Sequence, residues 1–216
     1  GAAAEAQHVF RVPKGLRLED AGAVAATGLT ALKGIDTLRL RPRETVLVFG
    51  ASGAVGSIAM QLAAQRGAEV IATASGAPAT RLVRRLGAHR IIDARNDESI
   101  ERLRTFAPDG LDGVLAFAGG DGLERCLDFV RQGGRVVYPN GVDPEPGERR
   151  RFRIRSFDAI ATPREFARLN RYIGSGRICV PIAASYPLGK AARAHQRLDR
   201  GQVLGRIVLN IHRAAE

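Results

Sequence analysis

Seven residues carry the clearest chemistry in this chain: Gly50, Ala51, Ser52, Gly53, Ala54, Val55 and Gly56. Three glycines at this spacing, placed between an apolar run and an amphipathic segment, suit a strand that turns into a helix around a pyrophosphate. Gly50 permits a tight turn, Gly53 lets backbone approach the phosphates, and Gly56 lets the helix pack close to the strand. Free backbone N–H groups and the helix dipole then supply the positive field. The phosphate cradle is assigned to Gly50, Ser52, Gly53, Ala54, Val55 and Gly56. A ribose-reading acid is expected at the end of the next strand if the ligand carries a 2′-hydroxyl. Here that place reads Thr73-Ala74-Ser75-Gly76, and Glu69 lies at the opposite end of the strand. With Arg81 one helical turn further on, the charges favour a 2′-phosphate and hence NADPH. The plainer reading keeps Ser75 as a turn residue and Arg81 as a solvated charge.

The elements that must position this turn alternate between two periods. Thr45–Phe49 is a continuous apolar run, the mark of a strand buried on both faces. Ala54–Arg66 repeats apolar residues at helical spacing and ends at Gly67. Further strands are expected at Glu69–Thr73, Arg90–Asp93, Leu111–Ala118 and Arg135–Tyr138. Helices fall at Thr80–Leu86, Ser99–Phe106 and Gly122–Arg131, the last stopped by Gly133-Gly134. This predicts an α/β fold, a Rossmann-type doubly wound parallel sheet. Outside it, a helix is expected over Leu18–Leu38, an edge strand over Arg151–Arg155, helices over Pro163–Ile173 and Lys190–Asp199, and a last strand over Arg206–Ile211.

Composition narrows the class. The net charge is +11, which raises nucleic acid as a partner. Only Lys14, Lys33 and Lys190 are lysines, however, and the arginines are scattered along the chain apart from Arg149-Arg150-Arg151. This argues for a basic face that attracts anionic ligands rather than for a dedicated nucleic-acid binder. No apolar stretch is long enough to cross a membrane, and Gly1–Val12 has no secretion-signal pattern. Cys126 and Cys179 stand apart with no metal-binding spacing, so both read as reduced core thiols of a cytoplasmic protein. His8, His89, His195 and His212 lack the paired groups that catalysis would need.

Several matches in order carry a family resemblance. Val46–Gly56 with Gln61-Leu62-Ala63, the lead-in Val12–Leu16 and Ala26–Ala31, the pair Leu86-Gly87-Ala88 and Ile91-Ile92-Asp93, and the closing Tyr186-Pro187-Leu188, Ala194-His195 and Gly205–Leu209 all contribute. Together they resemble the medium-chain dehydrogenase/reductase superfamily, in its zinc-independent quinone oxidoreductase (zeta-crystallin-like) branch. The resemblance implies hydride transfer from NADPH to a quinone or an activated alkene such as an enone. Zinc-dependent relatives have a metal-binding cysteine where this chain has Ala26, so no metal site is expected. Thr30 then resembles the threonine that positions the nicotinamide, although its hydroxyl could equally cap or pack its helix. The ends of two strands would line the ring through Ala118, Gly119, Asn140 and Gly141. Two departures stand out: Ala94 and Ala79 replace a tyrosine and a lysine common in NADPH-binding relatives, and Arg81 and Arg95 are the residues that could replace their contacts.

The resemblance also divides the chain. Residues 1–28 read as the end of a GroES-like substrate domain, 29–142 as the dinucleotide-binding domain, and 143–216 as the edge strand, terminal helices and a strand returning to the substrate domain. Remnants of that domain are thus expected at both ends, around Ala3-Glu5-Gln7-Val9 and in the last strand. Such a portion should bind cofactor without normal turnover. An enoyl reductase module of a polyketide or fatty-acid synthase, or a non-catalytic cofactor-binding scaffold, fits the same residues. The edge strand at 151–155 would pair with a second copy across a two-fold axis, giving a homodimer.

Overall fold

The computed structural model describes residues 9–211. Helix α1 (Leu18–Leu38) is followed by strand β1 (Thr45–Phe49), helix α2 (Gly56–Gln65), β2 (Glu69–Thr73), α3 (Gly76–Arg85) and β3 (Arg90–Ile92). Two short helices, α4 (Asp97–Glu101) and α5 (Leu103–Phe106), lead to β4 (Leu111–Ala116), α6 (Asp121–Leu127), β5 (Val130–Pro139) and β6 (Phe152–Phe157). After α7 (Pro163–Gly174) come β7 (Ile182–Pro187), a 3-10 turn, α8 (Ala191–Asp199) and β8 (Arg206–Asn210).

The first six strands form one parallel sheet in the order β3-β2-β1-β4-β5-β6. The order reverses between β1 and β4, and at such a switch point the loops at the carboxyl ends part to leave a crevice. Why β1 lies at the centre follows from its residues: Val46, Leu47 and Val48 are completely buried. Each such side chain contributes roughly 1.5–3 kcal/mol by leaving water. Two cores result. Val46 and Val48 join Leu32, Ile35, Ile58 and Leu62 on one face, while Leu47 and Phe49 join Leu103, Val114, Leu123 and Val136 on the other. Among the described residues no helix is long and apolar enough to cross a membrane.

The expected doubly wound sheet is present, with several differences of extent. The segment expected as an edge strand is β6, which pairs with β5 as the sixth strand of the main sheet. The helix expected over Gly122–Arg131 stops at Leu127, and β5 starts at Val130. There Gly133, at φ 75°, and Gly134 sit in an irregular stretch where the β4–β5 register shifts; they do not end a helix. The stretch Ser99–Phe106 is two short helices that break at Arg102. Helix α2 begins at Gly56, since residues 51–55 form the turn itself. Helix α1 runs without interruption through residues 28 and 29. Strand β7 was not expected; it pairs with β8 as a separate two-stranded parallel sheet. The N-terminal lead-in residues 1–8, including His8, and His212 lie outside the described residues.

Candidate functional site

The turn after β1 has the geometry its glycines require. Gly50 adopts φ 79°, a left-handed conformation that any side chain would strain. A Cβ on Gly56 would lie 2.2 Å from the Gly50 carbonyl oxygen, so helix and turn meet only because Gly56 has no side chain. A Cβ on Gly53 would touch only that same oxygen, at 3.3 Å, leaving open space over the turn. The Gly53 amide closes the turn onto Gly50, and the Ser57 amide donates to Gly53. Among the described residues the Val55 amide donates to no backbone carbonyl, whereas the Ala54 amide is drawn into the isolated parallel bridge between Gly53 and Gly205. The Ser52 carbonyl accepts from the Gly205 amide at 3.0 Å, which ties the turn to the chain entering β8.

A residue that sequence reasoning had placed only as a strand end fixes this turn from below. The Thr73 hydroxyl oxygen accepts the Gly50 amide at 2.8 Å, and its proton goes to the Val48 carbonyl. Its signal was a polar residue closing an otherwise apolar buried strand. Gln61 does the same from α2: its side chain donates to Cys179 O and accepts from Cys179 N, both at 2.8 Å. This holds residues 179–182 beside the head of α3.

The result is a cleft of about 1120 Å³ in which Ser75, Arg81 and Arg95 share one lining with Cys179, Arg197 and Gln202. The absence of an acid at the end of β2 holds, yet the neighbouring strand supplies one. Asp93, just past β3, accepts the Ser75 hydroxyl, the Arg95 amide at 3.1 Å and the Arg95 guanidinium at 3.5 Å. Burial acts to raise the Asp93 carboxyl, but Ser75 and Arg95 outweigh it and hold it below the usual carboxylate range. Arg95 is therefore partly neutralised. Arg81 has no carboxylate within ion-pair distance among the described residues.

The other candidates are less gathered. Ala118 approaches Gly50: a Cβ built there would lie 3.7 Å from that of Ala118. Gly119 is pressed against the backbone of Pro144, whose oxygen would stand 2.0 Å from an added Cβ. Asn140 donates to Asp158 at 2.6 Å and so leans towards the end of β6, and Gly141 is exposed with φ 91°. The Thr30 hydroxyl donates to the Ala26 carbonyl one turn back, at 2.9 Å, which leaves its oxygen free to accept. His89 accepts the Val70 amide through Nδ1. The cysteines are both free, but only Cys126 is a core residue; Cys179 is exposed. Burial pushes the Cys126 thiol up to about 12, so it stays protonated.

Fold and site together define a Rossmann-type α/β domain with a glycine turn at the switch point of its sheet. Comparison with known proteins carries this further. The model of the zinc-binding dehydrogenase family matches residues 86–209. The chain is 28% identical to the quinone oxidoreductase of Mus musculus over 89% of its own length and 62% of that protein's. It superposes on the Escherichia coli quinone oxidoreductase complexed with NADPH at a TM-score of 0.81 and 28% identity, covering 92% of this chain and 67% of that one. An NAD-dependent alcohol dehydrogenase gives a TM-score of 0.85 and 27% identity, covering 94% and 62%. This chain belongs to the zinc-binding dehydrogenase family, within the medium-chain dehydrogenase/reductase superfamily. It spans 62% of the length of the first curated relatives it matches.

Proposed function

We propose that the chain is the cofactor-binding part of an NADPH-dependent oxidoreductase that passes hydride to a quinone or an activated alkene without zinc. The observation that carries this reading is the turn at Gly50–Gly56, with the unbonded amide of Val55 at the head of α2 and Arg81 in the cleft lined by Ser75 and Leu204. The residues fit the cofactor: Gly53 leaves the space a pyrophosphate needs, and a Cβ would fill part of it. In this reading the Val55 amide and the head of α2 hold the pyrophosphate, with Ser52, Gly53 and Ala54 shaping the turn beside it. Ser75 and Arg81 hold the 2′-phosphate, with Arg95 assisting from its contact with Asp93. The Thr30 oxygen accepts from the carboxamide, and Ala118, Gly119, Asn140 and Gly141 border the ring. The nicotinamide supplies the hydride when bound; the protein groups orient it and exclude water. Ala26 offers no metal ligand at the place where zinc-dependent relatives carry a cysteine, which supports chemistry without zinc. The two free cysteines support a reducing, cytoplasmic setting. The outer edge of β6, which ends the six-stranded sheet, supports pairing with a second copy.

The activity is tested in the complete parent chain, with its substrate domain, by following NADPH oxidation with a benzoquinone, an enone and an enoyl thioester in parallel. The reading expects turnover of the quinone or the enone. Turnover of the enoyl thioester alone would place the protein with enoyl reductases instead. Multi-angle light scattering checks the pairing, with a dimer expected and lost on Ile154→Pro in β6.

A further inference from the structure

A second cleft, of about 490 Å³, runs along the open edge of β3, between α3 on one side and α4 and α5 on the other. Its cations come from three elements: Arg84 from α3, Arg90 from β3, and Arg102 between α4 and α5. Arg90 and Arg102 converge on one aromatic ring, their guanidinium carbons 5.8 and 5.0 Å from the centroid of Phe106. Among the described residues none of the three arginines reaches a carboxylate. Of the nearby acids Asp93 lines the cleft but is held by Ser75 and Arg95, while Asp97 meets Arg125 at 3.2 Å and Glu101 meets Arg104 at 2.7 Å. Glu98 does not line the cleft. His89 adds a further donor, because its Nδ1 accepts the Val70 amide at 3.0 Å and the ring proton must then sit on Nε2.

We propose that this cleft is a second anion site, distinct from the cofactor cleft, which takes the phosphate group of a small phosphorylated molecule. Like-charged guanidinium groups gathered around a concave surface, with its one lining acid, Asp93, held by Ser75 and Arg95, have an electrostatic cost that a bound dianion removes. The volume is that of a small-molecule site. The edge of β3 is only three residues long, Arg90–Ile92. It offers too short a ladder to recruit a partner strand, so side chains and not backbone select the ligand. The site shares Gly76 and Arg84 with the neighbourhood of the cofactor cleft, and an occupant therefore sits within reach of α3.

The test is a titration of the full chain with pyrophosphate, followed by two-dimensional amide NMR with saturating NADP+ present to occupy the first cleft. Saturable shifts centred on residues 88–92 and 102–106 are expected. R90A/R102A should weaken binding at least tenfold, with melting temperature and NADP+ affinity unchanged; R81A should leave pyrophosphate binding as it is. Shifts confined to residues 75–81, equal weakening by R81A, or no saturation would overturn the proposal. So would a short single-stranded oligonucleotide that occupies the same residues at lower concentration than pyrophosphate, since the ligand would then be a nucleic acid. The NADP+ affinity measured in parallel separates failure of this site from failure of the cofactor reading.

Discussion

The arginines on the two flanks of the sheet do different work. On the β4–β6 flank four are spent on the fold: Arg131 meets Asp112 and Arg135 meets Glu44, both at 2.6 Å, while Arg149 meets Glu124 at 2.8 Å and Arg151 meets Asp128 at 3.5 Å, although Arg153 and Arg155 stay exposed on β6. On the α3–β3 flank, Arg81, Arg84, Arg85, Arg90 and Arg102 have no such partner among the described residues, while Arg95 meets Asp93 and Arg104 meets Glu101. A guanidinium locked to a carboxylate contributes little field beyond its own contact, whereas unpaired ones add up around a concave surface. Net charge alone therefore misleads. Unpaired arginines line the two clefts beside α3 and β3, where a ligand can reach them.

Substitutions can break this contrast, the largest effect first. Gly56→Ala forces a Cβ into the Gly50 carbonyl and should cost about 3 kcal/mol of stability, seen as a lower urea midpoint, together with loss of dinucleotide binding. An unchanged midpoint would mean the helix shifts freely and the turn is not under steric control. On the paired flank, Glu44→Gln leaves Arg135 short of its carboxylate, although the Arg135 Nε already lacks a partner. A loss of about 2 kcal/mol is expected, without effect on cofactor binding. On the unpaired flank the signs reverse. Arg81→Ala should weaken NADPH about tenfold, about 1.4 kcal/mol, and leave NADH binding and the melting temperature alone.

The smallest effect is a pH dependence. Burial acts to raise the Asp36 carboxyl, but Arg168 at 2.7 Å and Arg66 at 3.1 Å outweigh it and hold it below the ordinary range. A depressed folded value means the stabilisation is fully present above the unfolded carboxylate's value and disappears as pH falls through the folded one. With these groups partly exposed the contribution is under about 1 kcal/mol. Asp36→Asn should flatten the acid limb of the stability curve by that amount; an identical limb would assign the slope to other carboxylates.

How much of this was legible in the sequence depends on range. The turn at Gly50–Gly56 and the run Thr45–Phe49 were readable because residue type and neighbours alone set their conformation. The strand Ile182–Pro187 was not: its residues alternate between half-buried and exposed, Ala183, Ala184 and Ser185 have little strand preference, and its partner β8 lies beyond α8. The contact between Ser75 and Asp93 was equally hidden, because it depends on the register of β2 against β3. That contact changes the charge argument, since an acid does approach the ribose end, from the neighbouring strand. The glycine pair Gly133-Gly134 read as a helix stop, yet it lies within a strand, at a register shift, and glycine serves both purposes.

The central claim is that the turn and the unpaired arginines beside it bind NADPH in preference to NADH. Calorimetric titration of the purified chain with each cofactor tests it most directly. The account expects saturable binding of both, with NADPH at least tenfold tighter and the difference abolished by Arg81→Ala. Equal affinities, or tighter NADH, would mean that Asp93 rather than Arg81 governs the ribose end and would contradict it.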